Sequence, residues 1–270
     1  MKKIGFVDYY ISEWHANNYP NWIKEVCEAT GEEMEVAYVW AELETSLLNG
    51  ETTDEWCAKF GVEKCATIAE LCEKSDYVVI LCPSFPETHL RMAEAVLPYG
   101  KPTYIDKTFA PDTETAEKIY ALSEKYGTPI FSTSALRYAS ELELFEGAEN
   151  LIITGGGRSF EEYVVHIAEM AVVLMGEEFS DVQVVKQGNQ RICHLTTPTG
   201  KKCTMTYAPN LGYTIAGEKD GAPSYKAVSS SFFKVLMGEI VKFFACGGRE
   251  VPVSKAQTIA VMKLRDAVLK

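Results

Sequence analysis

Lys107 is the first side chain whose position in the sequence suggests chemistry. It follows Asp106 and the apolar run Pro102–Ile105, which is rich in residues that favour a buried strand. A second run of this kind, Tyr77–Leu81, leads into Cys82-Pro83-Ser84. Since ligands of open parallel sheets bind outside the carboxyl ends of the strands, both following segments are in position to meet a ligand.

His166 is the second candidate. Glu162 precedes it by four residues and Glu169 follows it by three, so that a helix would carry all three side chains on one face. Imidazole titrates near neutral pH, and a flanking carboxylate can orient it for proton transfer. Purely structural roles stay open as well. Ser159 and Glu162 have the spacing of a capping box, and a lone histidine on an apolar helix is often a core residue.

A strand-helix-strand unit is predicted to position the lysine. Between the two apolar runs, Thr88–Leu97 carries apolar residues near helical spacing, and Gly100 lies just beyond it as a stop signal. The two strands of such a unit are parallel, and their crossover is right-handed. The segments that follow the two strands are therefore expected at the same edge of one sheet.

The same stretch carries the features of a known family. An apolar strand is followed by Pro83-Ser84, by His89, by an Ala-bearing helix, by Gly-Lys, and by a second strand with the pair Asp106-Lys107 at its end. This order resembles the Gfo/Idh/MocA oxidoreductases, which carry Glu-Lys-Pro where this chain has Asp106-Lys107-Thr108. In that family the lysine contacts both the nicotinamide cofactor and the substrate. The resemblance implies this role for Lys107, although threonine lacks the fixed φ of proline.

The resemblance implies roles for further residues. The family's helix histidine acts as acid and base toward the substrate hydroxyl, which implies that role for His166. NAD or NADP would bind at the carboxyl edge of the first sheet, and a sugar, polyol or related hydroxy compound would bind between the domains. Glu42, after the second predicted strand, is the candidate for the adenosine ribose, and it slightly favours NAD because a carboxylate opposes a 2′-phosphate. The residues expected to contact the cofactor are Tyr9, Tyr10, Ser12, Glu42, Cys82, Pro83, Ser84, His89, Asp106 and Lys107.

The segment Asp8–His15 departs from the family pattern. It stands where a glycine-rich turn would let the backbone approach a pyrophosphate, and it contains no glycine. Three interpretations are open. Its tyrosines and tryptophan fill the space of a cofactor, or a longer loop offers backbone N–H groups to a phosphate from a shifted position. In the third, Asp8, Glu13 and His15 form a metal or polar-ligand site.

The missing glycines motivate a rival function, a cofactor-free binding or regulatory module that retains the Gfo/Idh/MocA fold. Two features of the second half can each be interpreted as a ligand site or as a structural element. Gly155–Gly157 with Arg158 could form an anion site at a helix start or a hinge between domains, of which we favour the hinge. Arg137 either lines the ligand cleft or forms an ion pair between domains.

The whole chain is predicted to be α/β, with a Rossmann-like parallel sheet domain at 1–138 and an α+β domain with a mostly antiparallel sheet at 139–270. Helices are expected at Tyr19–Thr30 in the first domain and Phe160–Met175 in the second. Alternating segments after residue 181 are typical of antiparallel strands joined by turns. A half-exposed sheet of this kind is expected to pack against a second subunit, which predicts a homodimer or a higher homo-oligomer.

Composition excludes several classes of function. The chain has 270 residues, of which 47% are hydrophobic, so it can bury a large core. A net charge of −12 without a basic stripe disfavours a nucleic-acid partner. The sequence shows neither a membrane-spanning apolar stretch nor a signal-peptide core, so a cytoplasmic location and no membrane partner are expected. The eight cysteines have no metal-binding spacing, and no metal site is predicted.

Overall fold

The computed structural model describes residues 1–219 and 221–270. Strands alternate with helices in the first half of the chain. They are β1 (Lys2–Asp8), α1 (Trp14–Thr30), β2 (Met34–Ala41), α2 (Thr53–Phe60), β3 (Glu63–Lys64), α3 (Ile68–Lys74), β4 (Tyr77–Ile80), α4 (His89–Val96), β5 (Thr103–Ile105), α5 (Thr113–Tyr126) and β6 (Ile130–Phe131).

The second half begins with two short 3-10 segments and continues as strands and helices. The 3-10 segments are Ala135–Tyr138 and Ser140–Phe145. The remaining elements are β7 (Asn150–Gly155), α6 (Phe160–Met175), β8 (Asp181–Gln187), β9 (Gln190–Thr196), β10 (Lys202–Tyr207), β11 (Thr214–Lys219), β12 (Ala222–Ala227), α7 (Phe232–Ala245) and α8 (Lys255–Leu269).

The strands form two six-stranded sheets. The first has the order β3-β2-β1-β4-β5-β6, and all its neighbouring strands are parallel. The second has the order β12-β11-β7-β10-β9-β8 and is antiparallel at every pair except β7 with β10. The predicted fold class is therefore confirmed. In the first sheet the chain order reverses between β1 and β4, and ligands of doubly wound sheets bind at such a switch point.

The chain divides into two compact units. Unit 1 comprises Met1–Ser132 and Leu236–Ser254, and unit 2 comprises Thr133–Val235 and Lys255–Lys270. Most of α7 thus lies in unit 1, whereas the division expected from the sequence put it in the second domain. Two phenylalanines of α7 explain the difference. The ring of Phe244 stacks on Tyr77 of β4, with centroids 4.7 Å apart, and the ring of Phe243 packs edge-on against Phe131 of β6, with centroids 4.9 Å apart.

The start of α1 differs from the predicted one. The helix begins at Trp14 rather than at Tyr19, because the Glu13 side chain caps it, and Pro20 lies inside the helix. Two strands lack the sequence signal of a strand. β3 has only two residues, and β12 is exposed along its whole length and shows no regular alternation of apolar and polar residues. No helix in residues 1–219 and 221–270 is long and apolar enough to cross a membrane.

Candidate functional site

Asp8 lies buried at the switch point of the unit 1 sheet, where β1 ends. Its Oδ1 atom accepts the backbone N–H groups of Tyr9 at 2.7 Å and of Cys82, after β4, at 3.0 Å. Its Oδ2 atom is buried and meets no hydrogen-bonding partner among the described residues. Burial raises the pKa of Asp8 to about 7. The two central strands are thus joined by an acid that titrates near neutral pH.

Glu13 closes the start of α1. Its carboxylate accepts the N–H groups of His15 at 2.8 Å and of Ala16 at 2.5 Å. The side chain is buried, which raises its pKa to about 8. In a dinucleotide-binding domain the first N–H groups of this helix face the pyrophosphate. A carboxyl group of the chain itself takes that position here.

Asp106 is the centre of a buried network that the sequence did not indicate. It forms an ion pair with Nδ1 of His15 and accepts the hydroxyl groups of Tyr104 at 3.0 Å and Tyr19 at 3.4 Å. The ring of His15 stacks on that of Tyr19, with centroids 5.1 Å apart. Burial opposes ionisation of Asp106, but the charge and hydrogen bond of His15 hold its pKa below the usual value. Asp106 therefore stays ionised beside Lys107.

Lys107 reaches across the carboxyl edge from β5 toward β4. It is largely buried, and its Nζ donates to the carbonyl oxygen of Pro83 at 3.3 Å. The peptide bond between Lys107 and Thr108 is cis. Pro83 is buried and Ser84 is half-buried beside it. The structure thus brings together the two segments that the sequence placed at the strand ends.

Two of the predicted cofactor contacts are occupied by the protein. His89 is fully buried, and its ring nitrogens face the carbonyl oxygens of Leu81 at 2.7 Å and Phe109 at 3.0 Å. Burial lowers its pKa. Cys82 has a φ of +54°, and its Sγ lies 3.2 Å from Sδ of Met92. Burial raises the pKa of this thiol well above its usual value, so it is an inert group that helps to shape the edge.

The turn after β1 is aromatic. Tyr9 and Tyr10 pack against Phe85, with ring centroids 4.8 and 5.8 Å apart. Trp14 does not join this group, because it is 50% exposed and its ring packs edge-on against Trp22 at 5.6 Å. The first interpretation of this segment, that its aromatic side chains fill the space of a cofactor, stays a prediction. The third interpretation was a metal or polar-ligand site of Asp8, Glu13 and His15. In the described part of the chain, no group of three or more histidine, cysteine, aspartate or glutamate residues could hold a metal ion.

The two other polar candidates of this region are both engaged. Ser12 is buried, and its hydroxyl donates to Glu51 at 2.5 Å and accepts from Asn49 at 3.0 Å. Glu42 is exposed after β2, and its carboxylate pairs with the guanidinium of Arg91, whose Nε lies 3.2 Å away. Glu42 thus has a cation beside it, and its contact with the adenosine ribose stays a prediction.

His166 lies on α6 in unit 2. Its Nδ1 is 2.7 Å from the hydroxyl oxygen of Ser134, and its ring contacts those of Tyr163 and Tyr213, with centroids 5.7 and 5.9 Å away. Glu162 pairs with Arg158 at 2.6 Å, as an exposed i, i+4 pair. The expectation that a flanking carboxylate orients His166 stays a prediction.

The other acid on this helix face, Glu169, is buried against the segment that enters unit 2. Its carboxylate binds Nε of Arg137 at 2.6 Å, the hydroxyl of Thr133 at 3.0 Å and the N–H of Ser134 at 3.3 Å. Arg137 thus forms its ion pair within unit 2. Ser134 itself was not a candidate, since its spacing of 32 residues from His166 leaves no signal in the sequence.

The three glycines before α6 serve close packing. A Cβ atom at Gly156 would overlap the backbone of Ala208 and Leu211, and one at Gly157 would overlap the ring of Tyr163. The hydroxyl group of Tyr213 donates to the carbonyl of Gly156 at 3.1 Å. The structure therefore explains these glycines by steric need, and neither a hinge nor an anion site is required to account for them.

Comparisons with known proteins agree with this architecture. Residues 21–133 match the model of a family described as Gfo/Idh/MocA, an oxidoreductase family with an NAD-binding Rossmann fold. No curated protein matches the chain.

Several solved structures are similar over nearly the whole chain. UDP-N-acetylglucosamine 3-dehydrogenase GnnA from Acidithiobacillus ferrooxidans is 14% identical, with a TM-score of 0.79, and the match covers 99% of this chain and 97% of that one. A putative myo-inositol dehydrogenase from Sinorhizobium meliloti 1021 is 15% identical, with a TM-score of 0.73 and coverage of 100% and 96%. GenD2 from gentamicin A biosynthesis, in complex with NAD, is 13% identical, with a TM-score of 0.76 and coverage of 100% and 94%. At these identities the likeness is one of fold.

Proposed function

We propose that the protein is an NAD(P)-dependent oxidoreductase that acts on a hydroxyl group of a sugar, a polyol or a related compound, because residues 21–133 match the model of the NAD-binding Gfo/Idh/MocA oxidoreductase family. The family match supports the reaction class. The substrate class draws on the names of similar structures, among them a UDP-N-acetylglucosamine 3-dehydrogenase and a putative myo-inositol dehydrogenase.

The position of Lys107 is the observation that carries the proposal. Its ammonium group lies at the carboxyl edge of a doubly wound sheet, where ligands of such sheets bind. Among the described residues its hydrogen-bond partner is the carbonyl oxygen of Pro83, so that two of its three donors remain for a ligand. Asp106 precedes it, and after the larger effect of His15 the charge of Lys107 also helps to hold the pKa of that carboxyl group below its usual value.

Unit 1 contains side chains that could bind both ends of a dinucleotide. Lys107 with the Pro83-Ser84 segment would hold the nicotinamide end, and Glu42 would accept hydrogen bonds from the adenosine ribose. The diphosphate between them fits only after the Glu13 carboxylate has left the N–H groups of α1, since both need the same donors. The donor set therefore fits the cofactor under this one condition.

The two proposed catalytic side chains have different tasks. Bound NAD(P) would supply the hydride acceptor or donor. Lys107 would hydrogen-bond the reacting oxygen and orient it, while its positive charge stabilises negative charge that develops there. His166 would take the hydroxyl proton during oxidation and return it during reduction.

Calorimetric titration of the nucleotide-free protein with NAD(H) and NADP(H) tests the proposal. We expect micromolar binding of one pair, followed by a change of nicotinamide absorbance with at least one sugar or polyol. Both cofactors must be compared, because Glu42 disfavours a 2′-phosphate whereas the adjacent Arg91 favours it.

Glu13 also favours a second candidate function, a cofactor-free binding or regulatory module. A chain that supplies its own carboxylate to the start of α1 has no need of a diphosphate there. Absence of binding for all four nucleotides at neutral and mildly acidic pH would overturn the oxidoreductase proposal and select this module.

A further inference from the structure

Ser134 is fixed from three sides in unit 2. It is fully buried, and its N–H donates to the carboxylate of Glu169 at 3.3 Å. Its hydroxyl oxygen accepts the N–H of Leu136 at 3.2 Å, which caps the short 3-10 segment Ala135–Tyr138. The same oxygen lies 2.7 Å from Nδ1 of His166. The backbone and the side chain of Ser134 are therefore both held in place by contacts other than the one with the imidazole.

The Glu169 carboxylate is itself immobilised. Its side chain is 4% exposed and that of its partner Arg137 is 10% exposed, with 2.6 Å between Oε1 and Nε. The hydroxyl of Thr133 donates to the same oxygen at 3.0 Å. A buried ion pair with an additional hydrogen bond holds its members in one geometry. Glu169 and His166 thus contact the same residue, Ser134, one at its N–H and the other at its hydroxyl group.

A hydroxyl oxygen has two acceptor positions, and the N–H of Leu136 uses one of them. The other can accept a hydrogen from Nδ1 of His166. An imidazole that gains and loses a proton at Nε2 carries hydrogen on Nδ1 in both states, so this contact persists while the other nitrogen exchanges its proton. A carboxylate at the same place would instead favour the imidazolium.

We propose that Ser134 is a positioning residue that accepts the Nδ1 hydrogen of His166 and so selects the tautomer in which Nε2 is the nitrogen that gains and loses the proton. The effect of Ser134 on turnover rests on the proposed function. The contact between Ser134 and His166 and the resulting tautomer do not depend on that function, and both can be measured without cofactor or substrate.

Nitrogen NMR of protein with ¹⁵N-labelled histidine tests the inference directly. The chain has only four histidines, and His166→Asn identifies the signals of His166 by their loss. We expect hydrogen on Nδ1 in the neutral ring of the native protein. In Ser134→Ala this preference should be lost, and Ser134→Thr, which keeps a hydroxyl, should restore it. A neutral ring with hydrogen on Nε2 in the native protein would overturn the inference even if no variant could be purified.

Kinetics provide a second readout in an active enzyme. We expect Ser134→Ala to lower kcat roughly five- to tenfold with little change in KM, the loss that one hydrogen bond corresponds to. Ser230→Ala is the matched control, because it also removes a hydroxyl hydrogen bond in unit 2, one of 2.6 Å to Glu141. If Ser134→Ala and the control changed Tm alike, with tautomer and kcat unchanged, Ser134 would be a structural cap only. If no variant and no native protein turned over any substrate, the proposed function would fail and the NMR result would still decide the role of Ser134.

Discussion

At the scale of single residues, the acids of the unit 1 edge have opposite properties. Burial raises the pKa of Asp8 to about 7 and that of Glu13 to about 8. Burial also opposes the charge of Asp106, but His15 lowers its pKa. Across the neutral range the edge therefore gains negative charge where a diphosphate would bind, while the carboxylate next to Lys107 stays charged throughout.

The affinity for NAD(P) should therefore depend on pH. Deprotonated Asp8 and Glu13 repel a diphosphate and protonated ones do not, so binding should weaken as the pH rises through about 7 to 8. Glu13→Gln should remove much of this dependence and tighten binding roughly tenfold at pH 8.5, as about 1.4 kcal/mol of relieved repulsion would. Calorimetry from pH 6 to 9 measures both effects. Glu25→Gln, an exposed acid on the same helix, is the control, and a native Kd that is constant over this range would contradict the prediction.

Replacement of Lys107 separates its chemical role from a structural one. Lys107→Ala should lower kcat/KM by roughly a thousandfold or more, because the positioning and charge of the ammonium are lost at the reacting oxygen. The Tm should change little, since the side chain makes one hydrogen bond to a carbonyl group. Lys101→Ala, just before β5, should retain activity. A large loss of stability with activity retained would assign Lys107 to the structure.

At the scale of elements, local patterns predicted the helices best where their ends carry standard signals. α6 begins and ends as predicted, because Ser159 caps it and Gly176 follows it. The start of α1 carries no standard signal in the sequence, because a glutamate is an uncommon cap. The contacts within the site cannot be predicted from local patterns. His15 and Asp106 are 91 residues apart in the sequence, and only the assembled sheet brings them together.

The glycine entry to α6 allows a test of packing. Gly157→Ala should destabilise unit 2 by roughly 2–4 kcal/mol, because the new Cβ overlaps the ring of Tyr163 and must displace it. Gly188→Ala is the matched control. It also has a positive φ, of 56°, but nothing lies within 4 Å of a Cβ there, so its cost should be about 1 kcal/mol. Urea unfolding measures both, and equal losses would show that backbone strain alone is responsible.

At the scale of the whole molecule, the homodimer or higher homo-oligomer expected from the sequence stays a prediction. The unit 2 sheet carries apolar side chains that are exposed. Ile152 of β7 is 51% exposed, Val185 of β8 is 49% exposed and Tyr225 of β12 is 64% exposed. A sheet face of this kind is suited to a second copy of the chain.

Ile152→Glu should shift the protein from oligomer to monomer, because two copies that meet through this face would bury an unpaired carboxylate. Light scattering coupled to size exclusion measures the mass. Leu144→Glu is the control, since Leu144 is equally exposed at 51% but lies in a 3-10 segment outside the sheet. A native protein that is monomeric at micromolar concentration would contradict the prediction.

The return of α7 to unit 1 has a consequence for the order of events during synthesis. The rings that cover Tyr77 and Phe131 belong to residues 243 and 244, more than a hundred positions after the last strand of the sheet. A ribosome therefore releases the complete sheet well before the helix that covers it. Tyr77 and Phe131 therefore lack these ring contacts until α7 has been made, and a fragment that stops at residue 138 would lack them altogether.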